Sequence, residues 1–290
     1  MLKNTFCHLQ GVGQRKESYL WRRNVLTWED FLRRQNLPVS AASVLSSKEE
    51  IRRSLRRLKE RDAAYFAGLL PPGELWRLFP DFRSSTAYLD IETNGLMGPR
   101  GYITAIALYD GKEVYRYVRG RNLEDFRDDI GKYKLLVTYN GKCFDIPFIE
   151  ADLGVRLDQA HIDLMHLLRG LGFKGGLKGC ERALGIFRDE LDGLDGYFAV
   201  LLWGEYQRTG CGKVLETLLA YNTLDAVNLE RLLIHSYNLK LKETPFFGSQ
   251  RMPLKEPPEP DCGPDAATIE RILLRNPWYG PRLVRKYRSL

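Results

Sequence analysis

The chain contains no run of about 18 apolar residues, so no segment of it reads as a membrane span. It has no C-x-x-C pair. Its five cysteines, Cys7, Cys143, Cys180, Cys211 and Cys262, are scattered. That speaks against a disulfide framework or a cysteine-rich zinc site, and for reduced thiols in a cytoplasmic compartment. The first thirty residues carry charge throughout and lack the apolar stretch of a secretory signal. Histidine is scarce, and His161 and His166 stand five apart. Two imidazoles on one helix face of a zinc site stand four apart, so both are read as structural. Asp189, Glu190, Asp192 and Asp195 lack calcium-loop spacing and read as solvated surface.

What is present is enough apolar residue, 44% of 290, for a sizeable core. The length fits one large domain, or one domain with appendages. Charge is uneven. Up to Arg83 there are 16 Lys/Arg against 9 Asp/Glu, and beyond it 28 against 28. A basic front end on a neutral body suits a polyanionic partner; surface charge that serves solubility is the plain alternative.

The front end reads as helical. Gly11-Val12-Gly13 precedes a helical pattern through Leu20 and Trp21, an arrangement that frees backbone N–H groups for a phosphate and is similar to a helix-hairpin-helix. Packing on the main body explains it equally. Thr27 is a natural cap for a helix over 28–35. Ser46 or Ser47 caps a second helix whose Arg52/Arg56 and Arg53/Arg57 pairs repel unless anions lie against them. Pro71-Pro72-Gly73 reads as a turn, and Leu75 to Pro80 as a short helical lead-in.

From Thr86 strands and helices alternate. The pattern predicts strands over Tyr88–Ile91, Tyr102–Tyr109, Glu113–Val118 and Lys134–Tyr139. It predicts helices over Leu123–Ile130, Ile146–Leu153, Leu164–Arg169, Cys180–Leu184, Tyr197–Tyr206 and Lys213–Lys240. Asp163 reads as an N-cap more readily than as an acid supporting the acidic site. Three antiparallel strands followed by strand–helix alternation give an α/β fold with a mixed sheet flanked by helices. Residues 244–264 are rich in proline and glycine and read as a strap. Ala266–Leu274 reads as a short helix, and the basic, aromatic tail to Leu290 either touches nucleic acid or packs Trp278 on the body.

The chain is organised around Ala87-Tyr-Leu-Asp-Ile-Glu-Thr-Asn-Gly-Leu96. Asp90 and Glu92 stand two apart, so a strand sends both carboxylates from one face. Side by side they repel unless a cation lies between them, and a hard divalent ion prefers oxygen ligands. Asp145 follows a strand and begins a helix. Asp225 lies in an apolar helical stretch, four residues after Tyr221, and is costly there without a partner. Taken singly, each reads more readily as a surface carboxylate.

Asp90-x-Glu92, then Asn140-x3-Phe144-Asp145, then Tyr221-x3-Asp225, in this order, resembles the DEDD (DnaQ-like) 3′→5′ exonuclease superfamily on the ribonuclease H-like fold. The Leu75-Trp-Arg-Leu-Phe-Pro80 lead-in, Gly176-Leu177-Lys178 and Tyr221-Asn222-x2-Asp225 look like the YprB-type ribonuclease H-like domain proteins. The position five before Asp225, histidine in one subclass, is Ala220 here, so the match is to the tyrosine type.

The resemblance implies two divalent cations, Mg²⁺ or Mn²⁺, held by Asp90, Glu92, Asp145 and Asp225, with Tyr221 orienting the attacking water. It implies that Thr93, Asn94 and Asn140 hold the terminal nucleotide and that Leu96 or Phe144 wedges or stacks the last bases. Lys178, on a glycine-rich helix start, is a candidate phosphate contact from its position alone, with a purely structural lysine as the alternative. The expected activity is 3′→5′ exonuclease action on single-stranded nucleic acid, DNA more than RNA, releasing nucleoside monophosphates. The alternatives are an exoribonuclease, a non-catalytic nucleic-acid-binding module, or an endonuclease of the same fold. The expected division is a basic helical region 1–83, a ribonuclease H-like exonuclease domain 84–243, and a strap and tail 244–290.

Overall fold

The computed structural model describes residues 1–34, 41–258 and 263–288. Gln35, Pro260, Cys262 and the last two residues, on which some expectations fall, lie outside them. Strand β1, Thr86–Thr93, is the centre of a five-stranded sheet. It is joined by β2 (Ile103–Tyr109), β3 (Val114–Val118), β4 (Leu135–Thr138) and β5 (Ala160–Asp163) in the order β3-β2-β1-β4-β5. β1–β2 and β2–β3 pair antiparallel, β1–β4 and β4–β5 parallel. The mixed α/β sheet is as expected from the sequence; β5 is not, because four residues are too few to show a period and Asp163 also caps the helix that follows.

The period of two divides β1 between two cores. Ala87, Leu89 and Ile91 pack against α6 (Phe126–Ile130) and α7 (Asp145–Leu153). The opposite face carries Tyr88, Asp90 and Glu92. Tyr88, with Tyr109 and Val137, joins a large cluster that includes Val227, Leu233 and Tyr237 of the long helix α11 (Gly212–Leu241). Between β5 and α11 lie α8 (Leu164–Gly170), α9 (Gly176–Ala183) and α10 (Gly196–Thr209).

The same cluster takes in the front of the chain: α1 (Gln14–Arg22), α2 (Trp28–Arg33), α3 (Ala41–Lys59), α4 (Ala63–Leu69), and a 3₁₀ stretch Pro72–Leu78 leading into α5 (Phe79–Phe82). Thr27 and Asp30 form the capping box of α2. α3 starts at Ala41, upstream of the expected Ser46 and Ser47, because the alanines and Leu45 propagate a helix. Pro72 opens the 3₁₀ stretch and does not merely make a turn, a position where proline is tolerated.

Arg77 fastens the front end to the body. Its Nη1 donates to Glu17 Oε1 at 2.8 Å and its Nε to Glu74 Oε2 at 2.6 Å. The guanidinium lies 5.2 Å from the Trp76 ring centroid and 5.7 Å from that of Trp21. Glu17 also accepts from the amides of Phe6 and Cys7.

At the other end, the strap contains the short α12 (Phe247–Gln250), and α13 (Ala266–Arg275) and α14 (Pro281–Arg288) pack beside α10 and α11 through Ile269, Ile272, Leu273 and Tyr287. Trp278, which would be buried if it anchored a packed tail, is 89% exposed. Tyr279 and Tyr287 take that role: Tyr279 is edge-on to Phe198 and donates to Asp195 at 2.6 Å. Among the described residues no helix is long and apolar enough to cross a membrane. Arg77→Met is expected to leave Glu17 and Glu74 buried without a counter-charge and to cost about 3–5 kcal/mol in urea unfolding; a loss below about 1 kcal/mol would remove Arg77 as the fastening.

Candidate active site

β1 and α11 build the site between them. Asp90 and Glu92 leave the β1 face that α11 crosses, and Asp225 comes from α11 itself. One carboxylate oxygen of each lies within 4.8 Å of the others. Three elements of long sequence separation contribute once Asp145 is added, at the start of α7 beside Ile91 of β1. Asp145 is not part of the 4.8 Å group, but its charge acts on both Asp90 and Glu92. Glu92, Asp145 and Asp225 are buried; Asp90 is half-buried.

Burial, first, and then the neighbouring acids push the carboxyl groups of Asp90 and Glu92 well above the usual range. Burial raises Asp145 to about 7. Such a set of hard oxygen donors fits Mg²⁺ or Mn²⁺, whose charge would replace the protons that burial otherwise demands.

The helix contributes more than Asp225. Asn222 Nδ2 donates to Asp90 Oδ2 at 2.7 Å and to the Asp90 carbonyl at 3.1 Å, which ties α11 to β1 at the cluster. Tyr221 is buried, and its phenol is kept protonated by that burial. Lys178 of α9 donates to the Tyr221 hydroxyl and to the Leu194 carbonyl, with its ammonium 4.4 Å from the Tyr221 ring centroid. Burial lowers its pKa.

The turn after β1 is organised by Asn94, whose Oδ1 accepts from Leu96 N and Tyr102 N and whose Nδ2 donates to the Arg100 carbonyl. Thr93 Oγ1 accepts from Gly95 N. Gly95 has φ +76°, and a Cβ there would press on Val200 of α10. The turn lifts Leu96 and Met97 to 45% and 72% exposure. Phe144 packs on Phe148, ring centroids 5.0 Å apart. Asn140 adopts φ +65°, and its amide, like those of Lys142 and Met165, donates to the Asp163 carboxylate. Asp163 is therefore the expected cap, and it also shapes the loop that delivers Asp145. His161 bonds Thr138 at 2.8 Å.

Arg188, Glu181 and Asn228 escape a reading of the sequence, and Asn222 enters it only as a motif position without a role. Arg188 forms a buried ion pair with Asp225 and is held by Glu181, to which Asn228 also donates. The available signal is polar residues at helical spacing, Asn222, Asp225 and Asn228, on an otherwise apolar stretch.

A family model described as RNase_H superfamily (RNase_H_2) matches residues 87–237, more than half of the chain. The chain belongs to that superfamily. No curated protein matches it. Among the solved structures that match is the family B DNA polymerase from the hyperthermophilic archaeon Pyrobaculum calidifontis. The identity is 17%, the TM-score 0.40, and the match covers 66% of this chain. The chain spans 28% of the polymerase's length.

The raised carboxyl of Asp145 has a thermodynamic consequence. Its folded-state pKa of about 7 exceeds the ordinary 3.8, so the fold holds an extra proton between those values. Metal-free stability should fall as pH rises from about 4 to about 7, with a slope on the order of 1.4 kcal/mol per unit. Urea unfolding in chelator should show a steeper loss over that window in the wild type than in Asp145→Asn; identical slopes would contradict the burial of an ionisable group there.

Proposed function

We propose that the chain is a metal-dependent nuclease and, more finely, a 3′→5′ exonuclease on single-stranded nucleic acid, DNA in preference to RNA. The observation that carries the reading is the convergence of Asp90, Glu92 and Asp225, with Asp145 beside them, from elements distant in sequence. Superfamily membership over residues 87–237 supports it. Like charges buried together are costly, and a chain gains nothing from the arrangement unless a cation is held there. This weighs against a non-catalytic module.

In this reading Asp90, Glu92, Asp145 and Asp225 would hold two divalent ions, which would supply Lewis-acid activation of the phosphate and of a water. The remaining roles fall to the chain's own groups. Asn222 fixes the Asp90 carboxylate. Lys178 occupies one lone pair of the Tyr221 hydroxyl, which leaves the phenolic proton to orient the attacking water. Asn140 and the backbone at Thr93 and Asn94 hold the terminal nucleotide, and exposed Leu96 and half-buried Phe144 flank the last bases. The division 1–83, 84–243 and 244–290 is one of roles: strand holding, hydrolysis and bracing.

End-labelled DNA and RNA oligomers with Mg²⁺ or Mn²⁺ test the reading. Stepwise loss of nucleoside monophosphates from the 3′ end, faster on single strands, is expected; cleavage of a circular single strand would assign an endonuclease instead. Asp225→Asn should retain the fold and lose more than the ~10–100-fold that disturbing an outer partner of a metal ligand costs. Tyr221→Phe should lose about 100-fold, at the low end of acid–base contributions. A fully active Asp225→Asn protein would overturn the assignment.

A further inference from the structure

Asp225 sits mid-helix against two other acids of its triad, and something must hold its carboxylate there. Arg188, in the turn after α9, is only 5% exposed, a place where arginine is rare unless paired. Its Nε and Nη2 take both oxygens of Glu181, at 2.5 and 2.7 Å. This is the planar fork that arginine makes and lysine does not. Glu181 Oε1 also accepts from Asn228 Nδ2 at 2.9 Å. The third arm of the guanidinium, Nη1, forms the ion pair with Asp225 Oδ1.

Asn228 and Asp225 are three apart on one face of α11. The contacts therefore close a ring that runs from α11 through Asp225, Arg188, Glu181 and Asn228 back to α11. The turn that carries Arg188 is itself braced: Lys286 of α14 donates to the carbonyls of Asp189 and Asp192, each at 2.9 Å.

We infer that Arg188 is a positioning residue for the metal site: it fixes the Asp225 carboxylate beside Asp90 and Glu92 before any ion arrives. A cation beside a cation site would ordinarily weaken it. Here Glu181 neutralises Arg188 through two hydrogen bonds, so the pair adds almost no net charge while the direction of the third arm is preserved. A salt bridge that served only to join α9 to α11 would be complete with Glu181 and Asn228 and would not reach Asp225.

The inference rests on the metal site proposed above, and the test separates the two. Mn²⁺ binding to the full chain without nucleic acid is measured by electron paramagnetic resonance and calorimetry. The proteins are the wild type, the neutral-pair double variant Arg188→Met/Glu181→Gln, and Arg188→Lys. The double variant is expected to bind Mn²⁺ on the order of 10–100-fold more weakly, as when an orienting partner of a metal ligand is removed. Arg188→Lys should fall between. An unchanged or tighter dissociation constant in the folded double variant overturns the inference and leaves the metal site standing. Absence of Mn²⁺ binding by the wild type overturns both. Should the double variant not fold, Arg188→Lys decides: weaker binding supports the role, and wild-type binding removes it.

Discussion

Repulsion between like charges is the constraint on which the rest of the molecule turns. Asp90, Glu92 and Asp225 are held with oxygens within 4.8 Å of one another, and Asp145 adds its charge from the start of α7. Left to themselves, buried carboxylates either separate or take up protons. Separation is not open without unmaking the fold, and without an ion burial imposes protonation. The period of β1 fixes two of the acids, the crossing of α11 over the sheet fixes the third, and the Asn140 loop, shaped by Asp163, fixes the fourth. The structure stores the repulsion in rigid elements, and divalent ions are the simplest agents that relieve it.

Around the acids stands a shell of groups that each restrain one member. Asn222 holds Asp90, Lys178 holds the Tyr221 hydroxyl, and Arg188 holds Asp225. These restraints depend in turn on distant parts of the chain. Lys178 also bonds the Leu194 carbonyl, and the turn between Arg188 and Leu194 is tied down by Lys286 and Tyr287 of α14. The C-terminal helices thus support the same side of the site to which Arg188 belongs. The N-terminal helices share the large core on the α11 face of the sheet and are locked to it by Arg77.

Much of this was legible because it is written in short periods. Asp90-x-Glu92 declares a shared strand face, Tyr221-x3-Asp225 a shared helix face, and their order along the chain carries the family resemblance. Thr27 and Asp163 announce their caps. What was not legible depends on partners far away in sequence. Arg188 stands beside an acidic run that resembles solvated surface, and only the fold shows it inserted between Glu181 and Asp225. β5 is too short for a pattern. α14 begins at Pro281, a residue tolerated in a first helical turn, within a tail that reads only as basic and aromatic. Trp278 is the residue that hydrophobicity alone would bury, yet Tyr279 and the buried Tyr287 do the packing, each with its hydroxyl donated to an oxygen of the 192–195 loop.

Anomalous diffraction from crystals soaked in Mn²⁺ tests the central claim most directly. Strong peaks bounded by the carboxylates of Asp90, Glu92 and Asp225, with Asp145 contributing, are what the account requires. Mn²⁺ bound elsewhere while those carboxylates stay protonated or paired only with Arg188 and Asn222 would contradict it.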